Sequence, residues 1–110
     1  MQQIPVDQLV DVRPQLGSDP VLLDVREEWE VQLAPLAVEG FATVHIPMGQ
    51  IPARVAELPQ DQAIVCFCHH GMRSLQVAHF LERQGLSPVF NLHGGIDAWS
   101  TRVDPTVARY

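Results

Sequence analysis

Ala63-Ile64-Val65-Cys66-Phe67-Cys68-His69-His70-Gly71-Met72-Arg73-Ser74 is the stretch on which the fold turns. Its first five residues form an unbroken apolar run without alternation, the pattern of a strand covered on both faces. The next residues mix small, polar and basic side chains. A helical pattern then runs to about Gln84, with Leu75, Ala78 and Leu81 on one side and Gly85 where a left-handed cap belongs. A buried strand, a tight polar turn and a helix in immediate succession point to a parallel sheet.

Working outward, the same alternation recurs. Val21 to Val25 is a second apolar run, Thr43 to Ile46 a third, and Val89 to Leu92 a last, with a short opening strand centred on Ile4. Between them lie short helical patterns. Val6 to Leu16 is bounded by Pro5 and Pro14, Glu27 to Leu33 is acidic at its start, and Ile51 to Leu58 has Pro52 in its first turn. Ile96 to Ser100 follows the Gly94-Gly95 turn, and the tail to Tyr110 reads as loosely packed. The expected class is α/β, a parallel-stranded sheet with helices on both faces, in one domain over residues 1–110.

Composition narrows the function. The 110 residues include 7 basic and 13 acidic side chains, for a formal charge of −6. That balance argues against nucleic acid or an acidic membrane surface as partner. Every basic residue is Arg, which removes lysine Schiff bases and the phosphate-cradling lysine of P-loops. No apolar stretch is long enough to cross a bilayer, and the N-terminus lacks the pattern of a signal peptide. Cys66 and Cys68 are too close along a strand to bridge, so reduced thiols and a cytoplasmic location are expected.

The chemistry concentrates at Cys68 to Ser74. In open α/β sheets, ligands bind beyond the carboxyl ends of the strands. A thiol placed there, under backbone N–H groups and a helix N-terminus, is expected to be held largely as thiolate. Residues 62–81 contain no Asp or Glu but hold Arg73 and three of the five histidines, an electropositive island suited to a small anionic substrate. His69, His70, Gly71, Met72 and Ser74 are the candidate substrate-binding loop, and Cys68 and Arg73 the candidate catalytic pair.

Cys68-His69-His70-Gly71-Met72-Arg73-Ser74 resembles the active-site loop C-x-x-G-x-R of rhodanese-like sulfurtransferases. Leu23-Asp24-Val25-Arg26-Glu27 is similar to that family's D-V-R-E element. Leu92-His93-Gly94-Gly95-Ile96-Asp97-Ala98-Trp99 is similar to its closing L-x-G-G-x-x-x-W. The three occur in the family's order. The resemblance implies ping-pong transfer of sulfane sulfur: Cys68 takes sulfur from thiosulfate or a persulfide and passes it to cyanide, a thiol or a protein acceptor, without a cofactor. Arg73 or a neighbouring histidine would then neutralise a donor's sulfonate. A partner-docking or persulfide-relay module is the alternative. Cysteine phosphatases and arsenate reductases carry five residues between Cys and Arg where this chain has four, giving a smaller amide ring better fitted to one sulfur.

Other readings carry less. Cys66 reads as a core thiol, and C-x-C-H-H spacing is too tight for a zinc site, so no metal is expected. Asp24 and Arg26, at a strand's carboxyl end, are candidates to line the pocket, with an ion pair from Arg26 to Glu27 or Glu30 as the structural reading. Trp29 and Trp99 read as packing anchors. Residues 33–41 depart from the family pattern.

Overall fold

A computed structural model describes residues 1–110. Five parallel strands, β1 (Gln2–Pro5), β2 (Val21–Asp24), β3 (Ala42–His45), β4 (Ile64–Phe67) and β5 (Val89–His93), form one sheet in the order β1-β5-β4-β2-β3. Helices α1 (Leu9–Val12), α2 (Glu28–Leu33), α3 (Ile51–Arg54) and α4 (Met72–Arg83) occupy the four connections, several extended by 3₁₀ turns, and α5 (Gly95–Arg102) follows the last strand. The Val6 to Leu16 segment is such a composite: 3₁₀ turns flank α1 on both sides.

Two apolar clusters cover the two faces, as the expected class requires. One holds Ile51 of α3 and Val77, Ala78 and Leu81 of α4 against Val21, Leu23, Ile64 and Cys66. The other holds Leu9, Ile96 and Trp99 against Leu22, Val65 and Leu92. Each fully enclosed large side chain, such as Leu81, contributes about 1.5–3 kcal/mol of transfer free energy. The 33–41 segment supplies Ala34, Leu36 and Val38 to the second cluster, so it is a covering strap.

Uniform burial holds only for the centre of the sheet. All four residues of β2 and of β4 are buried, whereas β3 is exposed or half-buried along its length. The reason is position: β3 is an edge strand with a neighbour on one side only.

The parallel register pairs Asp24 with Phe67 and Cys66 with Asn91, so β2, β4 and β5 end at one level. This alignment brings the segments after them, residues 24–27, 68–74 and 93–97, to one edge. Gly85 N–H and Leu86 N–H close α4 on the carbonyls of Glu82 and Leu81, a C-terminal cap that ends the helix where the sequence indicates.

Candidate active site

Cys68 follows β4 directly, and α4 starts four residues later. Gly71 makes the turn possible with a φ of +101°, and a Cβ on it would stand 3.2 Å from the Gly94 nitrogen. A side chain there is disfavoured by both conformation and space.

The floor of the loop is set by α5. Ile96 N–H donates to the Cys68 carbonyl at 2.9 Å and Asp97 N–H to the His69 carbonyl at 3.0 Å. Tying both carbonyls to α5 fixes the peptide planes that open the loop. The approach requires Gly95, because a Cβ there would lie 2.5 Å from both carbonyl oxygens.

Cys68 is almost wholly buried and borders the apolar cluster on the α4 face. Its Sγ nevertheless accepts from the amides of Gly71 at 3.1 Å and Ser74 at 3.4 Å, with Ser74 Oγ at 3.3 Å. Two amides converge on the sulfur, fewer than the full ring the loop was expected to supply. The amides of His69, His70, Met72 and Arg73 have no acceptor within the protein, the last two because the first turn of a helix has none to offer. The surface hollows, about 210 to 270 Å³, lie beside β1, at the β1–β5 end and between α3 and α4, away from this loop.

Arg73 turns to α2. Its guanidinium donates to both oxygens of Glu30, at 2.7 and 2.9 Å. Glu30 also accepts from its own helix start, Glu27 N–H at 2.9 Å, and from the Tyr110 hydroxyl at 2.9 Å. The Arg73 hydrogen bonds hold the Glu30 carboxyl at about 2, far below the ordinary range for a glutamate. The island free of acids along the chain is therefore not free of them in space. Glu30 meets Arg73, and the Asp97 carboxylate lies 3.9 Å from His70 Nδ1.

Asp24 and Arg26 are enclosed and bind each other: Arg26 Nε and Nη2 donate to the two Asp24 oxygens at 2.9 and 2.7 Å. Arg26 also donates to the Ala34 carbonyl at 2.9 Å and to the Tyr110 hydroxyl at 3.1 Å. The pair is a structural strut under the loop and does not reach open surface. Its partner is Asp24, not the carboxylate of Glu27 or Glu30.

Tyr110 is the largest departure from the sequence reading. The tail folds back over the loop, and the Tyr110 ring stacks on His69 with centroids 3.9 Å apart. His69 stacks on His70 at 4.0 Å from its other side. Burial lowers the pKa of His69, which favours the neutral ring. Trp29 is 62% exposed and meets Tyr110 edge-on, so it stands at the rim, whereas Trp99 is a buried anchor as expected. Met72, at the start of α4, is exposed. Cys66 is enclosed in the apolar cluster, and burial raises its pKa strongly, in keeping with a core thiol.

The comparisons with known proteins agree with this fold. The model of the rhodanese-like domain matches residues 9–102. The chain belongs to the rhodanese-like family. This rhodanese-like chain is 38% identical over 93 residues to a sulfurtransferase of Allochromatium vinosum, covering 83% of this chain and 81% of that one. It superposes on the crystal structure of a rhodanese-related protein from Thermoplasma volcanium with a TM-score of 0.81 and 26% identity, covering 98% of each chain. A rhodanese-like domain protein from Staphylococcus aureus gives a TM-score of 0.74 at 28% identity, covering 100% of this chain and 99% of that one.

Glu30, Asn91 and Tyr110 are site residues that sequence reasoning did not assign. Glu30 had a faint signal, since Glu27 and Glu30 have the spacing of a capping box, which they form. Tyr110 had none.

Proposed function

We propose that this chain transfers sulfane sulfur through a persulfide on Cys68. The Cys68 thiolate attacks the outer sulfur of thiosulfate or of a persulfide, the donor's S–S bond breaks, and sulfite or a thiolate leaves. Cyanide or an acceptor thiol then attacks the outer sulfur on Cys68 and restores the thiolate. No cofactor is needed, because both steps are displacements at sulfur.

The observation that carries this reading is the placement of Cys68 Sγ at a strand end, under the Gly71 and Ser74 amides, with four further loop amides unengaged. Those amides suit the negative charge on a terminal sulfur. Membership of a family whose relatives include a sulfurtransferase supports the same chemistry.

The donor is a separate matter. The guanidiniums near the loop are engaged, Arg73 by Glu30, Arg26 by Asp24 and Arg109 by Asp97. A dianion such as thiosulfate finds no unpaired guanidinium there, which favours a second reading in which the donor is a persulfide on another protein and the chain relays sulfur. Thiocyanate release from thiosulfate and cyanide tests the enzyme reading. Wild type should turn over and Cys68→Ser should fall to background. Equal turnover by both removes the reading, and turnover only with a protein persulfide selects the relay.

A further inference from the structure

Asn91 on β5 is buried and lies outside the loop, yet its carboxamide touches two loop residues. One end is 3.1 Å from the Gly71 carbonyl oxygen and 2.8 Å from Gln3 Oε1, and the other is 2.5 Å from Ser74 Oγ. A backbone carbonyl only accepts, so the end facing Gly71 is Nδ2. Oδ1 then faces Ser74, and the serine must be the donor. A hydroxyl has one proton. With it given to Asn91, Ser74 Oγ presents lone pairs to Cys68 Sγ, 3.3 Å away. In that state the serine accepts from a thiol and has nothing to donate to a thiolate.

We propose that Asn91 is a positioning residue that, through Ser74, steadies the proton on Cys68 at rest and yields the hydroxyl to the sulfur when that proton leaves. Only the S–H bond breaks. Its proton passes to a base in solution, the electron pair stays on sulfur, and the Ser74 O–H exchanges Asn91 Oδ1 for Sγ as acceptor. The Ser74 hydroxyl is thus a two-position element whose resting position Asn91 selects. The inference rests on Cys68 being the reacting thiol, but not on the identity of any donor.

Other titratable and charged groups surround the loop. Cys66 precedes Cys68 on β4, and Arg73 of α4 is paired with Glu30 of α2. His69 and His70 lie in the loop, Asp97 comes from α5, Asp24 and Arg26 come from the end of β2, and Tyr110 from the tail. These groups are common to wild type and to the variants below, so a change tied to Asn91 and Ser74 is not theirs.

Alkylation of Cys68 by iodoacetamide across pH, mapped by peptide mass, reads the effect. In Asn91→Ala the hydroxyl is free to donate to the thiolate. The midpoint of the profile should move to lower pH, with the rate on its acidic flank rising roughly threefold to tenfold. In the Ser74→Ala background, Asn91→Ala should not move the midpoint. A midpoint that stays or rises in Asn91→Ala overturns the proposal, as does an equal shift without Ser74, which would mark mere loosening of the loop. Should Asn91→Ala not fold, the near-isosteric Asn91→Leu takes its place, since it too leaves the Ser74 hydroxyl without its acceptor. The same fall in the midpoint is expected, and a midpoint that stays or rises overturns the proposal. Failure of the sulfur-transfer reading would appear instead in thiocyanate release, with this profile intact.

Discussion

On its α4 flank the Cys68 loop is held by neutral groups close in sequence: the amides of Gly71 and Ser74, the Ser74 hydroxyl and, from the adjacent strand, Asn91. On its α2 flank it is held by charge across long stretches of chain. Arg73 and Glu30 are 43 residues apart, and Tyr110 reaches Glu30 across 80 and Arg26 across 84. The first flank presents two amide donors to sulfur. The second spends its charges on one another and so fixes the loop's position without offering a free cation. Positioning and reactivity are thus carried by separate sides of one turn.

The most damaging way to break the comparison is to move the loop floor that both flanks share. Gly95→Ala places a methyl against the Cys68 and His69 carbonyls. We expect a loss of about 2–4 kcal/mol in urea unfolding, together with loss of Cys68 alkylation at near-neutral pH. A fully stable, reactive Gly95→Ala would show that the α5 contact does not shape the loop.

Glu30→Gln opens the charged flank alone. It should cost about 2 kcal/mol at neutral pH, since it breaks a buried pair with one half-exposed partner. Because the folded Glu30 carboxyl sits at about 2, against an ordinary 4.5, the unfolded chain takes up this proton first as pH falls. Wild-type stability from this group is therefore complete above pH 4.5 and is lost as pH descends toward about 2. The variant should lose that part of the acid dependence. It should also lower the KM for thiosulfate by releasing Arg73. An unchanged KM would mean that the pair does not govern the donor.

That contrast also separates what was legible in the sequence from what was not. The β4–loop–α4 succession could be read because its cues are local: an apolar run, a glycine at the turn and helical spacing after it. The alternation of uniformly apolar runs with helical patterns indicated the parallel sheet. The ion pairs could not be read, because charge complementarity carries no register. Arg26 had Asp24, Glu27 and Glu30 within reach, and the equally buried Glu30 is taken by Arg73 from another element. Counting acids along residues 62–81 failed for the same reason, since Glu30 and Asp97 arrive from other elements. The tail carried a single aromatic residue with no periodicity, so nothing local indicated that Tyr110 would stack on His69.

Tyr110→Phe is the gentlest probe. It keeps the ring on His69 and removes only the hydroxyl between Arg26 and Glu30. A loss of about 1 kcal/mol is expected by urea unfolding, with Cys68 alkylation unchanged. A large change in alkylation would join the two flanks into one device.

The claim beneath all of this is that Cys68 carries the sulfur. Intact mass spectrometry of the reduced protein after exposure to thiosulfate or a small-molecule persulfide, followed by peptide mapping, tests it most directly. The account predicts a gain of one sulfur atom, located on Cys68 and discharged by cyanide. A gain located on Cys66, or none from these donors and from a protein persulfide alike, would contradict it.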